Sequence, residues 1–230
     1  MTFEPKFKHR NLPEQLADHI VELVATGDFE PGQRLYEKAI CERLGVSRVP
    51  VREALRILGA QGVVRVEPNR GAYLAELGPD EMAEMLEIRL RLERIAIGRL
   101  MNSGTTIDPQ HIEDLRGAVA NMRRASTLDD QLDYYRSDLS FHSKLIEMSL
   151  NPLLMPIWAS LSRAILVLLM SERQPHFDYQ AAIDDHEQLI NLIERGTAAE
   201  MDQEIERHIN NTRDKRLQRV SLLKGEEHSQ

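Results

Sequence analysis

Cysteine is almost absent. Cys41 is the single one in 230 residues, which excludes an internal disulfide framework and a zinc site built from several thiolates. Aromatic residues are scarce at 5%, while Leu, Ile, Ala, Glu and Arg are abundant, a balance that leans towards helix. No apolar run approaches the ~20 residues that a membrane helix needs. No secretory signal is evident either, because Met1 leads into the polar, basic Lys6-Phe7-Lys8-His9-Arg10. The expected location is the cytoplasm of a cell that keeps thiols reduced. Positive charge is short overall, with 29 Lys and Arg against 37 Asp and Glu, a net −8. That sum conceals an asymmetry. Residues 1–75 are close to neutral, whereas 34–70 hold eight basic and four acidic side chains. A local basic patch on an acidic chain attracts a polyanion at one place.

What is present is a globular balance, 42% hydrophobic and 29% charged, in a length suited to two ordinary domains. Helical periodicity covers Pro13 to Thr26, Glu37 to Leu44 and the stretch from Ser47 to about Ala60, with Gly27, Gly45 and Gly62 as stops. Val63 to Val66 and Ala72 to Ala75 read as two short strands around the turn Pro68-Asn69-Arg70-Gly71. Leu77-Gly78-Pro79-Asp80 marks a boundary. Beyond it the pattern is helical throughout, over roughly 79–102, 109–126, 129–149, 152–172, 179–195 and 197–222. The expected organisation is 1–77, 78–222 and a frayed tail over 223–230. The expected fold is mainly α: an N-terminal winged helix-turn-helix with a small β-hairpin wing, followed by an all-α helical bundle.

Two short helices joined by Leu44-Gly45-Val46 suit a helix-turn-helix. Val51, Ala54, Leu55 and Leu58 form the buried stripe of the second, and Arg48, Arg52 and Arg56 recur at i, i+4, i+8 elsewhere on it. Arginine's planar fork fits a guanine edge or a phosphate. Ser47 sits at the helix N-terminus, where its hydroxyl and the free N–H groups can meet a phosphate. Asn69, Arg70 and Gly71 form a wing tip able to reach a neighbouring groove.

Phe29-Glu30-Pro31-Gly32-Gln33-Arg34-Leu35, Gly45-Val46-Ser47-Arg48-Val49-Pro50-Val51-Arg52-Glu53-Ala54-Leu55 and Pro68-Asn69-Arg70-Gly71-Ala72 together resemble the winged-helix domain of GntR-type bacterial regulators, over about residues 10–76. The resemblance implies that Lys38, Ser47, Arg48, Arg52 and Gly71 approach operator DNA. Lys38 stands where the family often has Arg, and lacks its bidentate fork. A bacterial, cytoplasmic, homodimeric protein reading a near-palindromic double-stranded operator is the corresponding expectation.

The later helices place polar residues where apolar ones should be. Advancing about 100° per residue, Asp138 and His142 fall inside the apolar arc of 129–149. His186 lies in the middle of the apolar face of 179–195, and His208 lies between Ile205 and Ile209 in 197–222. A lone inward histidine is ordinarily a hydrogen-bonded core residue. Three of them with an inward aspartate favour a shared divalent cation, since unpaired buried polar groups are costly. Such a donor set suits one ion per chain, with Zn foremost and Ni, Mn or Fe as alternatives. Arg89 and Glu93 sit near the centre of the apolar arc of 79–102. They read either as a buried i, i+4 ion pair or as an effector cradle in which Arg89 holds an acidic ligand and Glu93 orients it. Met82, Met85, Met148, Met155, Met170 and Trp158 read as core filling, and His9, His19, His111, His176 and His228 as surface or linker.

Residues of about 80–215 are similar to the all-helical ligand-binding (FCD) domain of the FadR-type branch of GntR regulators. The likeness runs through Arg89 and Glu93 in Glu-Ile-Arg-Leu-Arg-Leu-Glu, Asp138 and His142 in Asp-Leu-Ser-Phe-His, His186 in Asp-His-Glu-Gln-Leu-Ile, and His208. It points to the metal-containing members, in which a small carboxylate completes the coordination. The resulting expectation is a transcription regulator, a repressor, whose operator affinity answers to a small organic acid. Two alternatives stay open: a metal-dependent hydrolase-like enzyme, and a regulator whose metal is structural or is itself the signal.

Overall fold

Leu16, Ile20, Leu23 and Val24 recur at helical spacing and form the buried face of α1 (Leu12–Ala25). This helix packs against α3 (Arg48–Ala60), whose own buried stripe is Val51, Ala54, Leu55 and Leu58. Before α3 in the chain comes α2 (Glu37–Leu44), which also packs on α3. Gly45 ends α2 in the left-handed region at φ 66°, and its N–H bonds to the Cys41 carbonyl. Nothing lies within 4 Å of the place where a Cβ would stand. The glycine is needed for its dihedral, not for space. In the computed structural model the described residues are 12–67, 70–76, 78–102, 104, 107–171 and 178–227, without the side chains of Pro79, Ser171 and 213–227.

The strands differ from the expected lone hairpin. β2 (Val64–Glu67) and β3 (Gly71–Leu74) pair antiparallel, and a third strand, β1 (Arg34–Leu35), pairs with the other edge of β3. Two residues are too short for any alternation to register in sequence. The order is β1-β3-β2, with Arg34 and Arg65 both opposite Tyr73. Residues directly opposite one another share a face, so these three form one row across the sheet. Leu35, Val64, Ala72 and Leu74, on the other face, are buried.

Residues 77–230 form the second compact unit, and 1–76 the first. The described helices of the second are α4 (Pro79–Asn102), α5 (Pro109–Thr127), α6 (Gln131–Met148), α7 (Leu154–Ser171), α8 (Tyr179–Arg195) and α9 (Ala198–Glu227). Caps set their starts. Asp108, Asp130 and Asp178 each accept a first-turn N–H of the helix that follows. Asp130 therefore begins α6 two residues later than the periodicity suggests. Thr197 and Glu200 bond each other's backbone N–H at 3.3 and 2.8 Å, a capping box that opens α9. Helical backbone continues to Glu227, so residues 223–227 extend α9 beyond the expected end at 222. The lone Gly225 weakens a helix by only about 1 kcal/mol, and no proline intervenes.

Helix α6 packs on α4, α5 and α7, and α9 packs on α4 and α8. Leu86, Phe141, Leu145, Ile165, Leu189 and Ile205 are fully enclosed where these helices meet. Truncating any such Leu or Ile to Ala costs about 2–5 kcal/mol. The apolar packing fixes the facing sides of α4, α6, α8 and α9, from which the polar cluster projects. Among the described residues no helix is long and apolar enough to cross a membrane.

Candidate functional site

On the first unit, α3 turns Arg48, Arg52 and Arg56 to solvent. Arg52 is not free. Its Nε and Nη2 donate to Glu37 Oε1 and Oε2 at 3.0 and 2.9 Å, joining α3 to the first residue of α2. These hydrogen bonds lower the Glu37 carboxyl below its ordinary pKa and raise the guanidinium's. Glu37 escaped the sequence reading; its only signal was an acidic side chain in the first turn of α2. Arg56 is tied to Glu53 at 3.0 Å. Arg48 is exposed and forms no salt bridge among the described residues, although its charge also acts on the Glu37 carboxylate. Lys38 is exposed, 3.7 Å from Glu42. Ser47 occupies the N-cap position of α3, yet its hydroxyl makes no capping bond, so the first-turn N–H groups stay open. Arg70 is exposed, 3.7 Å from Glu67, and Gly71 has φ 109°. Pro68 and Asn69 lie outside the described residues.

In the second unit, four helices bring ionisable groups to one buried point. Asp138, His142, His186 and His208 each offer a ligand atom, and these atoms lie within 4.8 Å of one another. The His142 Nε2 to His208 Nε2 distance is 3.3 Å, and His186 Nε2 lies 3.2 Å from Asp138 Oδ1. The histidines are buried, and Asp138 is 13% exposed.

Hydrogen bonds behind the cluster settle which ring nitrogens face inward. His142 Nδ1 is 2.6 Å from Glu93 Oε2, and a carboxylate accepts, so that nitrogen carries the hydrogen. His186 Nδ1 donates to the Ala182 carbonyl at 2.7 Å. Both Nε2 atoms then present lone pairs towards Asp138 and His208. Converging lone pairs repel unless a proton or a cation lies among them. Burial, followed by the Arg89 charge, lowers the His142 pKa. Burial and the neighbouring rings hold that of His208 well below the ordinary value. Protonation of these two rings is thus disfavoured. His186 Nε2 and Asp138 Oδ2 have no hydrogen-bond partner. Nitrogen ligands of one ion stand about 2.1 Å from it, so a 3.3 Å separation between two of them is a natural bite. The donor set fits a divalent metal.

Arg89 and Glu93 reach the cluster from α4. Arg89 Nε donates to Glu93 Oε1 at 2.8 Å. Both Glu93 oxygens therefore already accept charge-assisted bonds, one from Arg89 and one from His142, an arrangement suited to orienting these two side chains. Burial pushes the Glu93 carboxyl up, but His142 and Arg89 outweigh it and hold it low. For Asp138 likewise, burial pushes the carboxyl up, but the positive charge of Arg89 is among the causes that outweigh it and keep it far below the usual range. Arg89 Nη2 is 3.6 Å from Asp138 Oδ2 and has no hydrogen-bond partner. The Arg89 guanidinium lies 5.9 Å from the Trp158 ring centroid. Trp158 is buried as core filling should be, but it also forms a wall of the arginine's niche. Nothing in α7 signalled that, since a single tryptophan in an apolar helix reads as packing. His19 pairs with Glu22 at 3.1 Å on the surface. His9, His176 and His228 lie outside the described residues.

Comparison with known proteins matches both units. A family profile described as FCD domain covers residues 84–211, and one described as bacterial regulatory proteins, gntR family, covers 12–74. The gluconate operon transcriptional repressor of Bacillus subtilis (strain 168) is 28% identical over 215 residues, 90% of this chain and 87% of that one. E. coli McbR/YncC has a similar structure, with TM-score 0.76 at 21% identity over 95% of this chain and 100% of that one. So does a transcriptional regulator GntR from Rhodococcus sp. RHA1, with TM-score 0.73 at 20% identity over 88% and 96%. At such identities the structural likeness speaks for the fold alone.

Proposed function

The chain belongs to the bacterial gntR regulators that carry an FCD domain, and from that premise we propose that it is a repressor in which a metal-bound organic acid controls operator affinity. A transcription regulator, rather than a hydrolase, is what the family and the relatives make it. Repression is carried over from the gluconate operon repressor.

The observation that carries the metal reading is the convergence of lone pairs. His142 and His186 are each locked by a bond at Nδ1, with Nε2 aimed at Asp138 and His208. Asp138, His142, His186 and His208 would hold one divalent ion, with zinc the foremost candidate for nitrogen and oxygen donors. When bound, the ion supplies an electrophilic seat for a carboxylate. Arg89 carries the free Nη2 beside Asp138, suited to the opposite end of a small dicarboxylate or hydroxy acid. Glu93 fixes the His142 tautomer and the Arg89 fork. Effector control needs differential binding to two arrangements of the protein, so affinity alone does not produce a switch.

On the DNA side, Arg48, Arg52 and the open N-terminus of α3 at Ser47 read the operator, with Lys38, Arg70 and Gly71 at its flanks. Two copies of this chain would read the halves of a near-palindrome. The test combines elemental analysis of gently purified protein with a thermal-shift series of metabolic acids, run on metal-loaded wild type and on His142→Ala, His208→Ala. About one ion per wild-type chain, and acid shifts lost in the variant, support the reading. Metal-free wild type, or undiminished shifts in the variant, overturn it.

A further inference from the structure

A groove of about 1040 Å³ runs between α3 and the sheet of the first unit. Four arginines, Arg34, Arg52, Arg56 and Arg65, line it, together with Glu37 and Glu53. Arg52 is tied to Glu37, Arg56 to Glu53 and Arg65 to Glu67. Arg34 alone of the four has no carboxylate partner among the described residues. Its guanidinium carbon lies 4.9 Å from the Tyr36 ring centroid. A Cβ on Gly71 would stand 3.2 Å from Arg34 Nε. The guanidinium is therefore placed between an aromatic face and a bare stretch of wing backbone. It is held in position without being neutralised. Arg34 also shares its face of the sheet with Tyr73 and Arg65, and both arginines reach the groove that Arg52 lines from α3.

We infer that Arg34 is a phosphate clamp of the DNA-binding unit, gripping one backbone phosphate of the operator between α3 and the wing. The inference rests on the DNA-binding reading above and adds to it a contact outside α3 and the hairpin tip. The chemistry is that of an exposed, oriented fork with spare N–H donors beside further positive charge. A stacked guanidinium loses little freedom on binding, so the contact is efficient for an exposed side chain. Gly71 acquires a second purpose. Besides its positive φ, it leaves the room in which the Arg34 fork lies.

The experiment uses the full chain and a duplex that the wild type enriches from a random double-stranded pool. Affinity is followed by fluorescence anisotropy across a salt series. Arg34→Gln is expected to weaken binding about 3- to 10-fold and to make the slope of log K against log salt shallower by about 0.9, one phosphate contact. The preferred bases stay unchanged, since phosphates carry no sequence. Replacing backbone phosphates one at a time by methylphosphonate identifies the partner: at one position the wild type falls to the variant's affinity and the variant loses nothing more. A wild-type slope in Arg34→Gln overturns the clamp, as does strict additivity at every phosphate, which would reduce Arg34 to a contributor of general field. Arg48→Ala, Arg52→Ala separates the two readings. If that variant loses binding while Arg34→Gln does not, the operator face stands and the clamp falls. If the wild type enriches no duplex, both fall.

Discussion

Glu93 Oε2 and His142 Nδ1 lie 2.6 Å apart although 49 residues separate them in sequence. This bond orients the ring, fixes its tautomer and raises its basicity as a ligand. Partners of this kind behind metal ligands are worth about 10- to 100-fold in metal affinity. Glu93→Gln, which preserves volume and the contact with Arg89, is therefore expected to weaken zinc binding by about that factor. Competition with a chromophoric chelator measures it, with helix content checked by circular dichroism. An unchanged affinity would remove Glu93 from the site.

Metal removal should act on the second unit alone. An ion bound only by the folded form stabilises it by about 2.7 kcal/mol when free metal is a hundred times its dissociation constant. Calorimetry of chelator-treated protein, with and without added zinc, is expected to show a rising transition for wild type and none for His142→Ala, His208→Ala. A zinc response undiminished in that variant would place the ion elsewhere. Operator binding by the metal-free protein should persist, because Arg48 and Arg52 belong to the separate unit of residues 1–76.

The cluster and the fold differ in how much of each could be read beforehand. Asp138, His142, His186 and His208 were visible because a 3.6-residue period has definite faces, and polar residues inside an apolar arc stand out. The helices beyond residue 78 were visible for the same reason. Pairings across the chain were not. Glu37 with Arg52, Arg34 against Tyr36 and Gly71, and Trp158 against Arg89 depend on tertiary closeness that no periodicity encodes. Strand β1 is two residues long and has no pattern of its own; its pairing with β3 creates it. The reverse occurred at Ser47, where a capping residue at the right place leaves its cap unmade.

Arg52 has one side of its fork occupied by Glu37, which leaves the Nη1 edge for a base. Glu37 then positions the reader and also repels phosphates that approach wrongly. Glu37→Gln is expected to raise affinity for scrambled duplex while lowering the ratio of selected to scrambled binding about tenfold, the scale of one bidentate base contact. Parallel anisotropy titrations on the two duplexes check this. A preserved ratio would mean that Arg52 abandons Glu37 on binding and reads without it.

The two glycines of the DNA-binding unit should respond oppositely to the same substitution. Gly45 sits at φ 66° with open space around it, and Asn tolerates that left-handed conformation. Gly45→Asn is expected to keep operator affinity within about twofold. Gly71 sits at φ 109°, with the Arg34 guanidinium against its missing side chain. Asn there is strained in the backbone and must push Arg34 aside. Gly71→Asn is therefore expected to lower the melting temperature and also to flatten the salt dependence by about one contact, as Arg34→Gln does. The combined variant settles which effect matters for DNA. If Gly71 acts through Arg34, the Asn substitution in an Arg34→Gln background leaves the salt slope where it already was. If the slope flattens a second time, the wing glycine meets the DNA independently of Arg34, and the room it leaves for that fork is incidental.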